Sequence, residues 1–60
     1  MKIVLEKTGE NCYKVVDTFN TAIIGGVEKD GYGVWFVVEK CRSYSLEELT
    51  TITQLMKGIA

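Results

Sequence analysis

Histidine and proline are both missing from this chain of 60 residues, cysteine occurs twice and tryptophan once. Without imidazole there is no side chain that titrates near neutral pH unperturbed, no Ser-His or Cys-His nucleophile pair, and no imidazole metal ligand. A dominant charge is missing too. Seven basic and eight acidic residues leave a formal charge of −1, and the two signs interleave, so no basic stripe exists to hold nucleic acid or anionic lipid by charge. Nucleic-acid binding would have to rest on stacking or shape. The strongest apolar run, Val34 to Val38, is far below the roughly 20 residues of a membrane span. Near the N-terminus only Ile3, Val4 and Leu5 precede Glu6, short of the about 7–15 apolar residues in a signal-peptide core. The expectation is a cytoplasmic protein, away from membranes.

What is present describes one small domain: 47% of the residues are apolar. A chain of this length buries only about 60% of the surface it exposes when unfolded, so its core is marginal and a partner subunit would stabilise it. Cys12 and Cys41 read as reduced, mostly packed thiols rather than a disulfide. Secreted mini-proteins usually carry more cysteines, and four zinc ligands are not to hand.

The first part of the chain reads as strands. Residues 2–7 and 12–17 are rich in β-branched and aromatic side chains around a Thr8-Gly9-Glu10-Asn11 turn, which predicts an antiparallel hairpin. A Gly9-Glu10 turn would set Leu5 opposite Lys14. A three-residue loop sets Leu5 opposite Tyr13 and Ile3 opposite Val15, and is preferred because it gathers the apolar residues on one face. Residues 21–29 and 32–41 flank Asp30-Gly31, the dipeptide of a type I′ turn. Counting from that turn pairs Gly26 with Trp35, Gly25 with Phe36, Ile24 with Val37 and Ile23 with Val38, so that each large aromatic covers a glycine. The adjacent glycines are also compatible with a β-bulge that would shift the register beyond them.

Ser45-Leu46-Glu47-Glu48 is a capping box, and it predicts a helix over residues 46–57 that stops at Gly58. Leu49, Ile52, Met56 and Ile59 form its apolar stripe, with Leu46 and Leu55 at the margins. The predicted fold class is therefore α+β: a four-stranded antiparallel β-meander with one C-terminal helix on one face of the sheet.

That arrangement has more apolar surface than lids. Alternation gives Val34, Phe36 and Val38 to one face with Ile23 and Val27, and Trp35 and Val37 to the other with Ile24 and Ala22. A single helix covers one face. Trp35, Val37 and Ile24 are thus the candidate partner-binding residues, with Tyr32, Tyr44 and Phe19 at the rim. The implied partner is a second copy of the chain or a larger protein target. The alternative is a closed monomer, in which loops, the N-terminal hairpin or the Arg42 side chain cover that face.

No catalytic, cofactor-binding or metal-ligating residue, and no small-molecule substrate, is expected. Glu28 and Glu39 sit beside bases and Glu47 and Glu48 start the helix, which are solvated or capping positions. Gly26 and Gly31 have P-loop spacing, but Tyr32-Gly33 stands where Lys-Ser/Thr is required. Gly31-Tyr32-Gly33 followed by Val34-Trp35-Phe36-Val37 resembles the ribonucleoprotein signature of RNA-recognition and cold-shock domains. The resemblance implies single-stranded nucleic-acid binding, with Tyr32 stacking on bases, Trp35 or Phe36 supporting it, and Lys29 and Lys40 contacting phosphates. It spans about eight residues, with Asp30 in place of the basic residue and Val34 and Val37 in place of aromatics, and a Gly-aromatic-Gly hairpin exit accounts for the same letters. The element order is also similar to that of the transcriptional-coactivator family whose dimers bind single-stranded DNA, although the basic Gly-Lys-rich strand region is not matched. The sequence favours a non-enzymatic protein-binding accessory or regulatory protein, similar in size and style to those bacteriophages direct at host machinery; single-stranded nucleic-acid binding is the alternative.

Overall fold

The computed structural model describes residues 2–60. Four antiparallel strands, β1 (Ile3–Gly9), β2 (Cys12–Asp17), β3 (Ala22–Asp30) and β4 (Gly33–Val38), form one sheet in sequence order, followed by a helix, α1 (Leu46–Lys57). This is the expected α+β meander with its single terminal helix.

Both hairpins are displaced by two residues from the expected pairing. In the first, Leu5 faces Val15 and Ile3 faces Asp17, with Gly9 opposite Cys12 and a bulge between Lys7 and Gly9. The turn is Glu10-Asn11, so the extra residue lies in the strand and not in the loop. In the second, Asp30 faces Gly33, Glu28 faces Trp35 and Val27 faces Phe36. Gly31-Tyr32 is the turn. Asp30 stands before it and accepts from the amides of Tyr32 (2.7 Å) and Gly33 (3.1 Å) through Oδ1. Gly33, not Gly31, carries the positive φ of 155°, so the expected type I′ turn gives way to one stabilised by the Asp30 side chain. A displacement of two keeps every side chain on its face. The exception is β3, where Val15 faces Gly25 but Val16 faces Ile23. The bulge leaves Ile24 without an opposite residue in β2 and turns it inward.

The core lies between α1 and one face of the sheet. Ile3, Val15, Ile24, Val27 and Ile52 are buried there, with Leu5, Tyr13, Val34, Phe36, Tyr44, Leu55 and Met56 packed around them. Ile52, 1% exposed, is the central contact of the helix; burying such a side chain contributes roughly 1.5–3 kcal/mol. The capping box forms as expected: Ser45 Oγ accepts from the Glu48 amide (3.1 Å) and the Glu48 carboxylate accepts from the Ser45 amide (2.9 Å). The packed stripe is narrower than expected at its start, since Leu46 is 84% and Leu49 38% exposed.

Strand β4 ends at Val38, not at Cys41. The Tyr44 hydroxyl donates to the Ile24 carbonyl and accepts from the Glu39 amide (2.8 Å), occupying the place of the next β3–β4 ladder bond. The chain then turns, with Cys41 in a left-handed conformation (φ 63°). Tyr44 is held edge-on against Phe36, with ring centroids 5.3 Å apart. Arg42 lies over the Tyr44 ring (4.7 Å) and pairs with Glu48 (2.8 Å). The Glu48 carboxyl is held below its ordinary range chiefly by Arg42, then by the Ser45 amide.

Candidate interaction surface

The face opposite the helix is open. Across it run three rows set by the ladder: Val4, Val16 and Ile23; then Glu6, Lys14, Gly26 and Val37; then Cys12, Glu28 and Trp35. Trp35 is 53%, Val37 46% and Ile23 53% exposed, whereas Val16, flanked by Val4 and Ile23, is buried. Tyr44, Arg42 and the helix all lie on the other side. Among the described residues no element therefore lies over the indole, and Arg42 is engaged with Tyr44 and Glu48.

Two expected partner-binding residues move. Ile24 is 3% exposed and belongs to the core, because the bulge exchanges it with Ile23. Tyr44 is half-buried against Phe36 on the helix face rather than at the rim. Trp35 and Val37 stay on the open face, Tyr32 stands at the hairpin tip at 93% exposure, and Phe19, also exposed, belongs to the β2–β3 connection. Ile23, Val4 and Val16 were missed as members of the surface. For Ile23 the signal was the Gly25-Gly26 pair, a bulge-prone site; for Val4 and Val16 it was plain alternation with the inward Ile3, Leu5 and Val15.

The border of the surface is polar. Glu6 pairs with Lys14 (3.6 Å), and Glu28 faces Trp35. The Asp30 carboxyl is held below its ordinary range by the Trp35 indole first, then by the Tyr32 amide. Both cysteines are free and exposed, contrary to the packed thiols expected. Cys12 begins β2 on the open face and Cys41 sits in the turn that ends β4, so neither position has a layer above it.

Among the described residues there is no pocket and no group of three side chains able to hold a metal ion. No helix among the described residues is long and apolar enough to cross a membrane. The surface presents an apolar floor, one amphipathic indole and a rim of mixed charge. The fold and this surface together define a four-stranded meander backed by one helix, with an uncovered sheet face. No protein-family model matches the chain, and no curated protein or solved structure is significantly similar to it.

Proposed function

We propose that the protein is a non-enzymatic binding protein with an accessory or regulatory role, acting as a homodimer through the open sheet face. The observation that carries this reading is the exposure of Trp35, Val37 and Ile23 on a face that no element among the described residues covers. Contiguous exposed apolar residues of this kind mark association sites, and their burial is worth roughly 25 cal/mol per Å² before the entropic cost of binding. The small core supports the same reading, since association supplies burial that a chain this short lacks. Glu28 and Asp30 beside the indole argue against the nucleic-acid alternative, because they set negative charge where a phosphate backbone would run.

Sedimentation equilibrium of the wild type and two variants tests the proposal. Trp35→Ala is expected to weaken self-association while leaving the urea midpoint of the monomer nearly unchanged. Phe36→Ala, which empties the space beside Tyr44 over Gly25, is expected to cost roughly 3 kcal/mol of stability. A wild type that is strictly monomeric at tens of micromolar, or equal loss of stability in both variants, would refute the reading. Quenching of the single tryptophan by oligonucleotides with a steep salt dependence would favour nucleic acid instead.

A further inference from the structure

Two side chains of opposite charge stand on the open face, one row and one strand apart. Lys14 lies beside Gly26, and Glu28 lies between Cys12 and Trp35. Lys14 meets Glu6 only loosely, at 3.6 Å with 40% of its side chain exposed, and Glu28 forms no ion pair among the described residues. Next to them are a knob and a hollow. Trp35 is 53% exposed, whereas a Cβ on Gly26 would meet nothing nearer than 3.5 Å, so the floor there is bare backbone.

We propose that a second copy lies face to face on this surface, with Lys14 of each copy paired to Glu28 of the other and each Trp35 seated over the other's Gly26. This deepens the homodimer reading and rests on it. A two-fold axis running between two stacked faces exchanges positions that lie equally far on either side of it. Strands stand about 4.8 Å apart and rise about 3.4 Å per residue, which fixes where each position of the face is carried. An axis from Cys12 to Val37 passes between Lys14 and Glu28 and, on those spacings, brings each to within about 3 Å of the other's place. The same axis carries Trp35 to within about 3 Å of the place of Gly26 on those spacings, in the hollow that Val16 and Ile23 border.

Cys12 and Val37 then meet their own copies, and the strands of the two sheets cross steeply, as in orthogonal packing. At the rim Glu6 comes toward Asp30 of the second copy, the one like-signed approach, which Lys14, set between Glu6 and the second Glu28, offsets. A second copy is the occupant because the face carries both halves of two contacts, a cation with its anion and an indole with its hollow, and one axis closes both. The whole apolar floor is covered in the process.

Sedimentation equilibrium of Lys14→Glu, Glu28→Lys and their equimolar mixture tests this pairing. Each variant alone sets like charges together twice and is expected to raise the dimer dissociation constant more than about tenfold. In the mixture every cross-copy pair is again opposite in sign, so association should return to within about threefold of the wild type. Both cysteines are exposed thiols, and a short bis-maleimide should join two copies through Cys12, beside the axis. Cys41→Ser should keep that cross-link and Cys12→Ser should lose it. A wild-type dimer that Cys12 does not link, or variants that mixing does not rescue, overturns this pairing and leaves face-mediated association standing. A strictly monomeric wild type overturns both.

Discussion

Gly25 and Gly26 are adjacent in the sequence and unlike in the fold. A Cβ on Gly25 would lie 2.7 Å from Phe36 Cε1 and 3.0 Å from the Val37 carbonyl oxygen, whereas one on Gly26 would meet nothing nearer than 3.5 Å. Gly25→Ala is therefore expected to cost about 1–3 kcal/mol, as overpacking does. Gly26→Ala should be close to neutral, and chemical denaturation of the two variants separates them. Asp30 provides a second residue-scale test. Its carboxyl is held below its ordinary 3.8 by the indole and the turn amides. A depressed folded-state pKa stabilises the fold above 3.8, and that contribution is lost as pH falls through the lower, folded value. Fluorescence of the single tryptophan should accordingly show an acid transition centred below 3.8 that Asp30→Asn abolishes.

At the scale of elements, the end of β4 is decided by a residue that is not in the sheet. Tyr44 inserts its hydroxyl between Glu39 and Ile24, and its ring against Phe36, so it both closes the ladder and covers part of the core. Tyr44→Phe keeps the ring and removes the hydroxyl. It is expected to cost about 1–3 kcal/mol, because the Ile24 carbonyl and Glu39 amide lose their partner, and to accelerate exchange of the Glu39 amide. The elements themselves were legible: the capping box places α1 at the residues where it forms, and the strands are those marked by β-branched and aromatic runs. Register was not. Turn dipeptides fix a register only if the turn type is right, and here Asp30 acts through its side chain from before the turn while the bulge in β1 absorbs a residue assigned to a loop.

For the whole molecule, the decisive fact is an imbalance between apolar surface and cover. One twelve-residue helix roofs one face, and nothing within the described residues roofs the other. If association is the cover, the thermal midpoint must rise with protein concentration, as mass action requires when the partner binds only the folded form. Calorimetry across a hundredfold concentration range should show that rise in the wild type and a flat response in Trp35→Ala.

Sequence alone determined which residues of β4 look to each face, since a side-chain period of two is indifferent to the even displacement by which both hairpins depart from their expected pairing. Hence Trp35 and Val37 were assignable to the open side before any coordinates. Tertiary structure alone decided the odd displacement: the bulge in β3 that sends Ile24 inward and Ile23 outward, and the folding back of Tyr44 onto the helix face. Both depend on how Gly25 accommodates Phe36 and how a distant hydroxyl meets the bulged strand, contacts between residues that local patterning cannot relate.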